Sequence, residues 1–184
     1  MQIKILKKKI ILLVGIMGCG KTSLGRVLSK KLGLPFVDSD KEIEKASGCT
    51  ISDLFATYGE KEFRKGEERI MERLLKQEPC VLSSGGGAFL SEKTRKEAKK
   101  NAISIWIRAD VNLISHRTEG RNHRPLVPAA DNKKALERLI NEGYPLYAEA
   151  DLTLDTKSEP IYRTVRRLLK LLHENHIIDY REDL

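Results

Sequence analysis

The chain has 184 residues, 40% hydrophobic and 33% charged, with 34 Lys and Arg against 26 Asp and Glu for a formal net charge of +8. That length suits a single domain spanning 1–184 with a packed core, and the composition excludes a chain disordered along its whole length. Bases are interleaved with acids, and the densest run, Lys7-Lys8-Lys9, lacks neighbouring aromatics for base stacking, so an anionic small substrate explains the excess better than nucleic acid.

Cys19, Cys49 and Cys80 are an odd number without CxxC spacing, which fits a reducing compartment rather than a disulfide framework or a zinc site. No apolar stretch approaches a membrane span and none reads as a signal core. The expectation is a cytoplasmic protein without a membrane partner, read as a monomer.

In chain order, residues 10–14 (IILLV) form a continuous apolar run closed by Gly15, the pattern of a strand buried on both faces. Residues 15–22 then read GIMGCGKT, which matches GxxxxGK[ST]. In such a loop glycines let successive backbone N–H groups turn onto phosphate oxygens, and the following helix presents the positive end of its dipole. Gly15, Gly18, Cys19, Gly20, Lys21, Thr22 and Ser23 are therefore the candidate cradle for ATP or a similar nucleotide. Lys21 adds a point charge at the β/γ-phosphates, and the Thr22 hydroxyl is the expected Mg2+ ligand. Cys19 reads as a small residue filling the loop; were it reactive, alkylation would inactivate the protein and ATP would protect. The confirming context is present, because Leu24, Val27, Leu28 and Leu32 place an amphipathic helix directly after the loop.

Further short apolar runs end in polar residues: 35–37 at Asp38, 80–82 at Ser83, 103–107 at Arg108 and 152–154 at Asp155. Helical stripes separate them, at Leu136, Leu139 and Ile140 and again at Ile161, Val165, Leu168, Leu169 and Leu172. Strand and helix alternate, which predicts an α/β fold with a parallel sheet, helices on both faces and ligands at the carboxyl ends of the strands. Residues 119–132 hold two prolines, a glycine and several Arg and His residues without a helical stripe, as suits a mobile lid. The stretch after His173 has no clear period and is expected to fray.

Three polar groups at strand ends are candidates for the acceptor side: Asp38-Ser39-Asp40, Phe63-Arg64 with Glu67, and Ser84-Gly85-Gly86-Gly87. Together with Arg124-Pro125-Leu126 and Pro145-Leu146-Tyr147, this ordered set resembles shikimate kinase over most of the chain. The resemblance implies a three-layer sandwich with a five-stranded parallel sheet, the nucleoside-monophosphate-kinase-like P-loop fold with a mobile lid. It also implies transfer of the ATP γ-phosphoryl group to the 3-hydroxyl of shikimate in the chorismate pathway, with ADP as the other product and Mg2+ as cofactor.

The matched positions carry the expected roles. Asp38 supports the Mg2+ shell beside Thr22, and Asp40 binds the substrate hydroxyls and is the candidate base, unless one of the pair merely caps the helix beginning near Lys41. Arg64 offers a planar fork to the shikimate carboxylate, held by Glu67 one turn later. Gly85, Gly86 and Gly87 allow close backbone approach and N–H donation to substrate oxygens. Phe55 and Phe63 match pocket aromatics or are simply core. Arg124 matches the arginine that closes over the transferring phosphate, so Arg124→Ala is expected to act on kcat, and Arg117 matches one that stacks near adenine. The catalytic set is thus Lys21, Asp40 and Arg124.

The sequence departs from the pattern at Gly143, where the family places a second carboxylate-binding arginine. Either Arg64 suffices, or another cation such as Arg138 compensates, or the acceptor differs; on the first two readings Gly143→Arg lowers the shikimate KM. The rival functions are a P-loop kinase for another small polyol acid and a noncatalytic nucleotide-binding module.

Overall fold

The computed structural model describes residues 3–118 and 132–180. Residues 119–131 of the proposed lid, with Arg124, lie outside them, as does the side chain of Arg117, while Asn132 at its end opens a helix.

Five strands form one parallel sheet: β2 (Ile10–Val14), β3 (Phe36–Asp38), β4 (Val81–Ser83), β5 (Ala102–Arg108) and β6 (Leu152–Asp155), in the order β3-β4-β2-β5-β6. All five expected apolar runs are strands. β2 is central and buried at every position, paired through Ile11 with Val81 on one side and Ile103 on the other. A strand covered on both faces needs no polar alternation, which is why IILLV reads as a continuous run.

The helices are α1 (Lys21–Leu32), α2 (Ser39–Ser47), α3 (Ile51–Leu74), α4 (Glu92–Asn101), α5 (Val111–Thr118), α6 (Asn132–Tyr147) and α7 (Ile161–Glu174). Leu24, Leu28 and Leu32 of α1 and Val165, Leu168, Leu169 and Leu172 of α7 are buried and face the sheet core, whereas Ile161, expected on the same stripe of α7, is exposed because it opens the helix at the cleft. α3 is broken at Gly59, whose φ of 74° and ψ of 170° are not helical. α6 contains Pro145 close to its end. Among the described residues no helix is long and apolar enough to cross a membrane.

The C-terminal stretch departs from expectation. β1 (Lys4–Ile5) and β7 (Ile178–Asp179) form a two-stranded antiparallel sheet, Lys4 opposite Asp179 and Ile5 opposite Ile178. Ile177, Ile178 and Tyr180 are buried, and the backbone N–H of Leu6 donates to the Ile177 carbonyl. The segment after His173 does not fray up to residue 180, because a pairing partner about 170 residues away supplies the order that its own periodicity lacks.

Candidate active site

The phosphate loop leaves the carboxyl end of β2 and enters α1, and its shape is set by glycine backbones. Gly15, Gly18 and Gly20 have φ of 138°, 81° and 101°, the left-handed side that other residues avoid. At Gly15 a β-carbon would also lie 2.7 Å from the Ile107 carbonyl oxygen of β5, so the turn tolerates no side chain. Lys21 is buried, and its Nζ donates to the carbonyls of Gly15 (2.6 Å) and Ile16 (3.0 Å), with Cys19 Sγ at 3.6 Å. The ammonium thus sits inside the loop, where an anionic phosphate competes for it. Cys19 is only 1% exposed, which leaves the thiol out of reach of an alkylating reagent unless the loop opens.

Thr22 opens α1 and meets the end of β3. Its Oγ1 donates to Asp38 Oδ2 at 3.1 Å and lies 3.5 Å from Ser83 Oγ at the end of β4. Asp38 also caps α2, accepting from the N–H groups of Asp40 (3.1 Å) and Lys41 (3.4 Å) on Oδ1. Capping and the contact with Thr22 are therefore one arrangement: the helix cap fixes one oxygen and aims the other at the phosphate loop. Among the described residues no cluster of three or more His, Cys, Asp or Glu could hold a metal by itself. A hydroxyl and one carboxylate beside a phosphate loop fit Mg2+, which binds through few protein oxygens and completes its shell with phosphate and water.

The acceptor candidates converge beside this loop. A β-carbon on Gly85 would lie 2.6 Å from Asp40 Oδ1 and 2.9 Å from Glu67 Oε1, while one on Gly87 would overlap the guanidinium of Arg64. Gly85 and Gly87 are thus required by three charged side chains drawn from two helices, and Gly86 by the Met17 backbone nitrogen, 3.2 Å from where its β-carbon would be. Arg64 Nη1 donates to Glu67 Oε2 at 2.6 Å, and Glu60 approaches Nη2 at 3.5 Å. Its guanidinium carbon stands 5.9 Å and 5.3 Å from the ring centroids of Phe55 and Phe63, whose own centroids are 4.4 Å apart. Both rings line the same cleft as Asp40, Arg64 and the phosphate loop.

Burial, reinforced by the nearby Asp38 charge, raises the Asp40 carboxyl above the ordinary carboxylate range, against the pull of Lys21 and Arg64. Glu67, 3% exposed, is raised for the same principal reason, with Arg64 opposing. Two desolvated carboxylates beside one arginine and one lysine form a site that an anionic, hydroxyl-bearing ligand can enter.

The whole cleft has a volume of about 1180 Å³. On the β6 side it is lined by Thr156, Glu159, Ile161 and Thr164, none of which the sequence had singled out as site residues. β5 and β6 are pinned there by Arg108, whose Nε and Nη2 reach Asp155 at 2.5 and 2.9 Å.

Two expectations need correction. The N–H of Gly85 is not available to a ligand, because it donates to Ser39 Oγ at 2.8 Å, and Ser39 is wholly buried. That residue stood between the two quoted aspartates, and its strand-end position was the signal available. The second concerns Gly143. It is buried in α6, and a β-carbon there would lie 2.8 Å from Cε2 of Tyr147, a side chain 2% exposed. An arginine at 143 has no room without moving that ring. Arg138 is exposed and outside the cleft lining, so among the described residues Arg64 is the one arginine in the cleft.

Comparison with known proteins agrees with this geometry. The family model described as shikimate kinase matches residues 17–173. A shikimate kinase of Rhizobium leguminosarum bv. trifolii is 50% identical over 144 residues, 78% of this chain and 74% of that protein. One of Paramagnetospirillum magneticum is 49% identical over 160 residues, 87% of this chain and 82% of that one. Among solved structures, shikimate kinase from Acinetobacter baumannii in complex with shikimate superposes with a TM-score of 0.88 at 34% identity, covering 92% of this chain and 96% of that one. A gluconokinase from Sinorhizobium meliloti, 18% identical with a TM-score of 0.55, shares the fold alone. With the family's phosphate loop, DxD pair, arginine and glycine run meeting in one cleft, the chain belongs to the shikimate kinase family.

Proposed function

We propose that this chain is a shikimate kinase that transfers the γ-phosphoryl group of ATP to the 3-hydroxyl of shikimate, acting as one domain in the cytoplasm and as a monomer. The observation that carries the reading is the meeting of Asp40, Arg64 and the glycine run within one cleft with Lys21 and Thr22. Phosphoryl donor and carboxylate-bearing acceptor then share a single chamber.

In this reading the amides of the loop formed by Gly15, Gly18, Cys19, Gly20, Lys21, Thr22 and Ser23 hold the phosphates of ATP, and Lys21 exchanges its two carbonyl partners for phosphate oxygens. Thr22 and Asp38 would hold Mg2+, which would supply positive charge to offset that of the nucleotide phosphates. Arg64, oriented by Glu67, takes the shikimate carboxylate in its fork. Gly86 and Gly87 give the acceptor ring close approach to the backbone. Asp40 then lies beside the attacking hydroxyl and accepts its proton, a role suited to a carboxyl that burial makes a stronger base than a free carboxylate. Arg124 stabilises charge on the transferring group, and Arg117 packs near the adenine. Positioning and electrostatics supply most of the rate, as phosphoryl transfer requires.

A coupled assay of ADP release, run with shikimate and with gluconate as acceptors, tests the reading. Turnover dependent on shikimate is expected. Turnover with gluconate alone would assign the chain to another polyol acid, and no turnover with either would leave a nucleotide-binding module.

A further inference from the structure

Side chains and amides around the Gly85–Gly87 run restrain it peptide by peptide. Ser39 Oγ holds the Gly85 N–H, and the Ala88 N–H donates to the Gly85 carbonyl. The Leu90 N–H donates to the Gly87 carbonyl. The remaining carbonyl, that of Gly86, accepts the hydroxyl of Tyr147, which arrives from α6, 61 residues along the chain.

A trans peptide is planar, so its C=O and the next N–H point in opposite directions. Holding the Gly86 carbonyl against Tyr147 therefore aims the Gly87 N–H the other way. Gly86 and Gly87 both line the cleft, and a β-carbon on Gly87 would overlap the Arg64 guanidinium. Without a tether, a Gly–Gly peptide turns over at little steric cost.

Tyr147 can make this contact because of its neighbours on α6. Its ring lies beside Trp106 of β5, centroids 6.2 Å apart, and Tyr144 packs edge-on against the same indole at 4.9 Å while its own hydroxyl donates to the Ala109 carbonyl. One turn before Tyr147, Gly143 leaves free the space that its ring fills. A side chain at 143 and the observed ring position exclude one another.

We propose that Tyr147 is a positioning residue for the phosphoryl acceptor: it fixes the Gly86–Gly87 peptide so that the Gly87 N–H is presented to the acceptor, and Gly143 is the residue that lets it do so. The inference rests on the reading that this cleft takes shikimate. It also accounts for the missing arginine at 143, since this chain uses that space to order a backbone donor.

The test is a double-mutant cycle of Tyr147→Phe and Gly143→Ala, with kcat and the KM values for shikimate and ATP measured in the coupled assay and the melting temperature recorded for each variant. Each single variant is expected to raise the shikimate KM about tenfold with the ATP KM unchanged, the loss of one buried hydrogen bond. The double variant is expected to match the singles, because both break one contact. An unchanged shikimate KM in Tyr147→Phe overturns the proposal. So does a parallel rise in both KM values, which marks the tyrosine as structural only, or a double variant whose effects multiply to about a hundredfold. Absence of shikimate turnover in the unaltered enzyme sinks the acceptor reading itself, and is thereby distinguished from failure of the positioning role.

Discussion

At the scale of single residues, the roles of Asp38, Asp40 and Ser39 separate cleanly although they are consecutive. Asp38 caps α2 and faces Thr22, Ser39 is spent on the Gly85 N–H, and Asp40 alone faces the acceptor side. Asp40→Asn is expected to lower kcat by about a hundredfold or more, the usual worth of a positioned base. Because the Asp40 carboxyl is raised by burial, the acid limb of kcat/KM for shikimate is expected above the range of an ordinary carboxylate, and that limb should vanish from the residual activity of the Asn variant. A limb left in place would assign the proton to another group. Ser39→Ala orphans a buried N–H and is expected to cost about 1–3 kcal/mol, read as a fall in unfolding free energy in urea. Gly143→Arg is expected to raise the shikimate KM, the reverse of what the family pattern suggested, since steric exclusion by Tyr147 outweighs any added charge. The sequence displayed Asp40, Arg64 and the glycine run because those residue types are unusual at strand ends. It did not display the use of Ser39 or Tyr147, whose hydroxyls become meaningful only once distant segments are brought within hydrogen-bond reach.

Among elements, the sheet was the most legible part. Strands buried on both faces leave continuous apolar runs, and each run here stops at the residue that the strand's carboxyl end delivers to the site face: Gly15 first, then the polar Asp38, Ser83, Arg108 and Asp155. The short β1 and β7 left no such trace, because two residues carry no period and their order comes from pairing across the length of the chain. The pairing predicts that Ile178, wholly buried in β7, supports the fold: Ile178→Ala is expected to cost about 2–5 kcal/mol in urea unfolding. A cost near zero would mean that β1 and β7 are an ornament on an independent core. The break of α3 at Gly59 was likewise invisible, since one glycine within a helical stripe signals a weakened helix without saying that it bends.

For the whole molecule, the site is bought at the expense of stability. Asp40 and Glu67 both have carboxyls raised in the folded state, so each contributes most stability below its unfolded value and loses it as pH rises through the folded one. Asp40→Asn is therefore expected to raise the melting temperature near neutral pH while abolishing most activity, with the gain shrinking as pH falls into the carboxylate range. Surface ion pairs run the other way: Asp155 beside Arg108 and Glu159 beside Arg167 have lowered carboxyls and give up their contribution as pH falls. The net charge of +8 fits a molecule whose two substrates are both anions, and needs no nucleic acid to explain it. On the proposed mechanism phosphate passes from ATP to one hydroxyl of shikimate in the cleft shared by Lys21, Asp40 and Arg64. Phosphorus NMR of the product formed from ATP and shikimate is expected to show a monoester whose phosphorus couples to the proton on the carbon bearing the 3-hydroxyl. Release of inorganic phosphate alone, or an ester at another hydroxyl, would contradict it.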